Sequence, residues 1–396
     1  MANGNGGSVA GGLAALQSMV GRFQAPELFN SVNQSFTTPS QVLIPRTLNL
    51  TRPLESITIY VAYRLAVTVA NYTAVAPEAP QNLLQRITLT GTHRAFGALT
   101  PLRVRGASAY VASYLTQGLG GSDTVINATR AASPGRPLTS PFAGTTAGSP
   151  YDIISVYHLP VTPQLGLADS IKRQQAAFLY LPQDWGDSLQ LQLEFGDASA
   201  LGNPTGATTA FTAFGSGAGT PLVEVHLNYS ILGQFANQMN NGVVLREERE
   251  LSTFTAVATA QRLATLQKNI TTSVLVKSGT TQTAGLTAGV NTYATVVDTQ
   301  LARTQIIVDN KPVRNNQNNS VMKAYYQRMF GTVIPAGYQL LSFVDGQSAL
   351  LGYRGDLLAP GSQFELYSDI LTASADNRQS YIQEQIIGGP FASRRP

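Results

Sequence analysis

The stretch "SVMKAYYQRMF" (Ser320–Phe330) stands apart from its surroundings, which are written in Thr, Val, Gly and Asn. Its Val321, Ala324, Tyr325, Arg328 and Met329 fall at the i, i+3, i+4, i+7 and i+8 positions of one helical face. A β-like run, "TQIIVDN" (304–310), and a turn-and-coil run, "KPVRNNQNN" (311–319), lead into it. The same order occurs about 215 residues earlier. There "QRITLTG" (85–91) passes through "THRAFGALTPLR" (92–103) into "GASAYVASYL" (106–115), where Val104, Ala107, Tyr110, Val111 and Tyr114 share a helical face. A second echo pairs "QLEF" (192–195) with "QFEL" (363–366). A helix that recurs in this setting predicts a domain that recurs.

Between these helices the chain reads as strands and turns. "ITIYVAYRLAVTVA" (57–70) is its most apolar stretch, and it alternates strictly. Ile57, Ile59, Val61, Tyr63, Leu65, Val67 and Val69 lie on one face, which predicts a half-buried strand. It is also shorter than the roughly 20 apolar residues that a spanning helix needs. Short antiparallel strands joined by Gly/Pro turns point to sandwiches or jelly rolls rather than α/β folds. Another short helix is predicted at "TPQLGLADSIKRQQ" (162–175), with Pro163 near its start. The run from Gly118 to Pro150 is too poor in periodicity to build a core and predicts a long surface excursion. "ANQMNNG" (236–242) marks a junction between halves, because Asn-Gly is a strong turn signal.

Composition narrows the function. Of the 396 residues 43% are hydrophobic, enough for large cores, and only 12% are charged. An average soluble protein carries roughly 25% charge, and interface cores are depleted in it. Extensive subunit contact accounts for that low value, as does a neutral, Thr-rich β protein. The net charge is +4, with cations scattered and no basic stripe interleaved with aromatics, so no specific nucleic-acid partner is expected. The chain contains no cysteine, which excludes disulfides and thiolate metal sites. Its start, "MANGNGGSVAGG", lacks the basic and apolar regions of a signal peptide, predicting synthesis and folding in the cytosol.

Chemistry-bearing constellations are sparse. His93, His158 and His226 lie far apart with no ligand spacing. Asp184 and Asp187 in "QDWGDS" have a spacing that suits a cation such as calcium; the competing reading is a polar turn with Trp185 packed on a sheet. "GGLAAL" and "GSGAGT" lack the Lys-Ser/Thr of a phosphate loop, and no G-x-S-x-G elbow is present. "VLREERE" (244–250) reads as a solvated strand edge, or as a subunit contact given its alternating signs. No catalytic residue and no cofactor are expected, and the chain is not read as an enzyme. Near the N-terminus Leu13, Leu16, Val20 and Phe23 make a small amphipathic face that Pro26 ends.

Taken in order, the elements run amphipathic arm, β domain with strand-turn-helix, long loop, "SVYHLPVTPQLGLADSIK", "LQLEF", linker strand and second copy. With "NLLQR" (82–86) and "ELSTF" (250–254), this order resembles the tectivirus-type major capsid proteins of tailless icosahedral bacteriophages with an internal membrane. The resemblance implies an all-β fold with a few short helices, two eight-stranded jelly rolls side by side. It implies an arm over 1–33, jelly rolls over 34–240 and 241–387, and a tail over 388–396. It further implies a homotrimer, pseudo-hexagonal in outline, in the capsid shell of a virion. Its partners would be neighbouring capsomers, penton, minor capsid and membrane proteins, and the internal lipid membrane. Leu13, Leu16, Val20 and Phe23 would then face a neighbour or that membrane. The alternative of another class is a β-sandwich carbohydrate- or receptor-binding spike, which would need exposed aromatic platforms; a jelly-roll hydrolase ranks third.

Overall fold

The computed structural model describes residues 27–37, 41–42, 46–65, 72–75, 78, 81–117, 124–126, 129–130, 151–163, 178–204, 211–215, 218–230, 242–251, 253–283, 286–287, 295–314, 318–330, 333–343 and 352–388. Residues 164–175 of the expected helix and the arm residues Leu13, Leu16, Val20 and Phe23 lie outside them, as do most of 118–150.

In the N-terminal half the main strands are β1 (Glu27–Asn33), β2 (Leu54–Leu65), β3 (Leu84–His93), β4 (Gly97–Val104), β5 (Tyr151–Pro160), β6 (Gln190–Phe195) and β7 (Leu222–Tyr229). Helix α1 (Gly106–Gln117) follows β4, and α2 (Pro182–Trp185) precedes β6. Two short strands, 41–42 and 46–47, both pair with β6. After residue 241 come β8 (Gly242–Glu250), β9 (Ala258–Thr265), β10 (Ile270–Thr280), β11 (Leu301–Val308) and β12 (Lys311–Arg314). Then follow α3 (Asn319–Phe330), β13 (Tyr338–Ser342), β14 (Phe364–Ile370) and β15 (Asn377–Gly388).

The strand order repeats. One sheet of the N-terminal half runs β1-β7-β2-β5, and the C-terminal half carries β8-β15-β10, with β13 on β10. The facing layers run β6-β3-β4, with 41–47 on β6, and β9-β14-β11-β12. Chain order matches too: hairpin β3–β4 leads to α1 as hairpin β11–β12 leads to α3. The "QLEF" strand β6 pairs with β3 just as the "QFEL" strand β14 pairs with β11. Where the sequence suggested turn and coil before each helix, there is a return strand. Pro101 and Pro312 disguise β4 and β12, since proline weakens any strand reading.

The alternation in β2 does what its period requires. Ile57, Ile59, Val61, Tyr63 and Leu65 are each at most 1% exposed, worth about 1.5–3 kcal/mol apiece for a large apolar side chain. Between them Tyr60, Ala62 and Arg64 are only half-buried. Val67 and Val69 lie outside the described residues. The β11–β12 hairpin turns on two residues, Asp309 and Asn310, both at positive φ (46° and 65°), the requirement of a primed turn whose twist matches the strands.

Helix α1 is buried around its circumference: Ala107, Ser108, Ala109, Tyr110, Val111, Ala112 and Leu115 are all buried. Such a helix belongs inside a core. Its start crosses β3 so closely that a Cβ on Gly106 would run into the Leu84 carbonyl oxygen. Helix α3 forms where its periodicity predicts, but its apolar stripe is turned outward. Val321 is 53% and Tyr325 38% exposed, and Ala324 and Arg328 are exposed with them. Polar anchors set this rotation. Asn319 receives the Thr304 amide (3.0 Å) and donates to the Leu301 carbonyl (3.0 Å). Tyr326, fully buried, receives the Ser342 amide through its hydroxyl (3.1 Å).

No helix among the described residues is long and apolar enough to cross a membrane.

Candidate functional site

The functional feature with the most chemistry is the seam between the two halves. β8 pairs antiparallel with β15 along its whole length and parallel with β4 at Arg246–Leu102 and Glu247–Arg103. One sheet therefore runs from 41–42 through β6, β3, β4, β8, β15 and β10. This corrects the reading of "VLREERE" as a solvated strand edge. Strands flank β8 on both sides; Arg246 and Glu248 are buried and tie to the N-terminal half, while Glu247, Arg249 and Glu250 stay partly exposed.

Two buried ion pairs and one buried arginine that hydrogen-bonds to backbone carbonyls cross the seam. Arg105, directly after β4, donates its backbone amide (2.9 Å) and Nη1 (3.1 Å) to Glu248. Ser108 (3.0 Å) and Ser380 (2.9 Å) also donate to that carboxylate, which sits at the α1 N-terminus, where negative charge is favoured. Burial alone would raise the Glu248 pKa. The charges of Arg105 and Lys277, with the hydrogen bonds, outweigh it and hold the carboxyl below its ordinary range.

The second link is between Glu78, ahead of β3, and Lys277 on β10; their charged atoms are in contact and both side chains are at most 3% exposed. Tyr338 donates its hydroxyl to the other Glu78 oxygen, and Lys277 also lies 5.5 Å from the Tyr338 ring centre. Burial lowers the Lys277 pKa, against the raising effect of Glu78 and Glu248. Third, Arg246 donates Nε to Glu384 (2.7 Å) and its two Nη groups to the Pro160 carbonyl (2.7 Å) and the Thr162 carbonyl. Thr272 donates to the remaining Glu384 oxygen (2.6 Å).

Losing one partner of such a pair strands a charge in the interior, at about 3–5 kcal/mol. The seam thus makes separation of the halves costly. Apolar packing adds to it: the main core cluster includes Leu102 and Val104 from one half and Val243, Leu275 and Ile382 from the other.

The remaining sequence candidates are scattered. His93 stacks on Phe96 (4.7 Å) and meets Trp185 edge-on (5.0 Å). His158 Nδ1 is 3.2 Å from the Thr58 hydroxyl, and His226 Nε2 is 3.2 Å from Glu224. Trp185 is 2% exposed and closes α2, packed against Tyr180 and His93. The Asp184 carbonyl takes the Arg94 amide, so that segment holds the β3–β4 hairpin. Among the described residues no three His, Asp or Glu side chains gather as a metal-holding group. Sequence reasoning missed Lys277, Glu78, Arg105 and Arg246. The available signal was a single Lys inside the buried strand "TTSVLVKSG" (271–279).

Two copies of one eight-strand order, side by side and fused through a shared sheet, make this fold a double jelly roll. Among solved structures the chain is similar to the STIV MCP, at 13% identity over 93% of this chain and 98% of that one, TM-score 0.59. It is similar to a chain in the atomic structure of Sulfolobus Turreted Icosahedral Virus, at 14% identity, 92% of each chain and TM-score 0.58. A third is the Faustovirus major capsid protein, at 9% identity, 94% and 91% coverage and TM-score 0.51. At these identities the likeness is one of fold. No protein-family model matches the chain, and no curated protein matches it.

Proposed function

We propose that this chain is a structural protein, the major capsid protein of an icosahedral virus, assembling as a homotrimer whose six jelly rolls form a pseudo-hexagonal capsomer. The supporting observation is the repeated strand order together with where it stops. Within the chain, β4 of the first half pairs with β8 of the second. Their counterparts by position are β12 and β1, and each ends its sheet among the described residues. Both are largely exposed, with Leu28 on β1 at 52% and Val313 on β12 at 36%. A contact between β12 of one copy and β1 of the next repeats the intrachain contact. Such a head-to-tail contact closes into a ring when its rotation allows, and three chains of two halves give six near-equivalent lobes.

The finer reading is a tectivirus-type capsid of a bacteriophage with an internal membrane. In it 1–33 is an arm, 34–240 and 241–387 are the jelly rolls and 388–396 is a tail. Leu13, Leu16, Val20 and Phe23 dock on a neighbour or on the lipid surface. The division at 33 falls directly after β1, which pairs along β7. The arm then needs a folded anchor at Glu27–Asn33 and is dispensable only upstream of it.

Light scattering coupled to size exclusion tests the assembly: about three chain masses are expected, with an interface above the roughly 2,000 Å² at which obligate contacts begin. A monomer at micromolar concentration overturns the reading. Electron microscopy of a chain lacking residues 1–25 tests the arm, with trimers but no shells expected.

A further inference from the structure

At the end of the seam where β4 hands over to α1, a cleft of about 380 Å³ is walled by Arg86, Arg103, Arg105, Arg249 and Arg378. Three carboxylates share that wall, Glu247, Glu248 and Glu250. They are divided unevenly. Glu247 serves both Arg249 (2.7 Å) and Arg103 (3.7 Å). Glu250 serves both Arg105 and Arg378 (3.3 Å). Glu248 is committed to the Arg105 amide, Arg105 Nη1 and two serines. Among the described residues Arg86 pairs with Glu194, outside the lining, at 3.9 Å. Five guanidinium groups thus face three lining carboxylates, and with Glu194 behind Arg86 counted the opening keeps an excess of one positive charge.

We propose that this cleft binds a small multivalent oxyanion of the phosphate class, and that binding clamps the two halves together. Guanidinium forks match phosphate oxygens in a bidentate way, and each carries five donors, more than a shared carboxylate can occupy. Arg103 and Arg249 are the gripping residues: their side chains are 49% and 41% exposed, on opposite sides of the seam. Arg86 and Arg105 belong to the N-terminal half, Arg249 and Arg378 to the C-terminal half. An anion held by members of both sets is therefore bound only where the halves are docked. This does not depend on the capsid reading.

The probe is inorganic tripolyphosphate, titrated into the full chain by calorimetry at neutral pH and fixed ionic strength, with thermal unfolding in parallel. Saturable binding of one anion per chain is expected, with a rise in Tm that sodium chloride at equal ionic strength does not reproduce. Arg103→Ala and Arg249→Ala should each weaken binding by about tenfold or more, the loss of one charged hydrogen-bonding partner. Glu247→Gln separates this from a self-contained ion-pair network. It releases both guanidiniums and should tighten tripolyphosphate binding, although it removes two ion pairs. Binding left unchanged by both arginine substitutions, or weakened by Glu247→Gln, overturns the proposal. So does a Tm that follows ionic strength alone.

Discussion

Lys277 shows how much a single residue carries here. Its ammonium group lies between Glu78 and the face of Tyr338, within a strand whose other residues are almost all buried. Lys277→Met should lower stability by about 3–5 kcal/mol, because Glu78 is left charged and buried. Replacing Glu78 as well with an apolar residue should recover most of that loss in urea unfolding. Glu248 sets a pH dependence. Its folded pKa lies below its unfolded value, so the unfolded chain binds this proton more readily. The stability it contributes is complete above about pH 4.3 and is lost as the pH falls through the lower folded value. Asp152, held down by the Arg64 hydrogen bonds, and Asp309, held down by the Gln363 amide, act in the same direction. Acid titration of Tm should therefore show a fall beginning near there, and Glu248→Gln should be less stable at neutral pH with a shallower acid limb. None of these partnerships was legible in the sequence. Glu78 and Lys277 stand 199 residues apart, and charge pairing at that range depends on how the halves dock, which periodicity does not encode.

At the level of single elements, period was legible and orientation was not. The β2 alternation named its buried side chains residue by residue, and α3 was located nearly to its ends. The side of α3 that faces the core was not legible, because periodicity groups Val321 and Tyr325 on one face without saying where it points and ignores what an Asn or a Tyr hydroxyl can satisfy. Asn319→Ala should leave the Thr304 amide without its acceptor, and Tyr326→Phe the Ser342 amide without its own. Each should cost about 1–3 kcal/mol. Val321→Ser and Tyr325→Ser, on the outward face, should stay within about 0.5 kcal/mol in the isolated chain. If the two serine variants prove the more damaging in denaturant titrations, the rotation of α3 described here is wrong.

For the molecule as a whole, the duplication was readable from two short echoes, and the repeated strand order extends it to every principal strand. The fused sheet was hidden, because a parallel contact of a few residues between β4 and β8 leaves no periodic mark in either strand. The open edges β1 and β12 carry the prediction at this scale. Leu28→Asp and Val313→Asp each place a charge on an exposed position, so folding of the chain should be nearly unaffected. If the proposed trimer forms through these edges, each should yield monomer in size-exclusion light scattering, as a charge buried in an apolar contact is costly. Trimers that survive both substitutions would direct attention to other surfaces.

The continuous sheet through β6, β3, β4, β8, β15 and β10 also has a mechanical consequence. Two bodies joined by a loop hinge under load, and the linker takes the strain. Two bodies that share a sheet respond as one plate. A sideways push on either half is carried in the plane of the sheet by strand hydrogen bonds, and the ionic ties around Glu78, Glu248 and Arg246 act as rivets against peeling. Bending along the line where the two copies meet then has to break strand hydrogen bonds and buried ion pairs together.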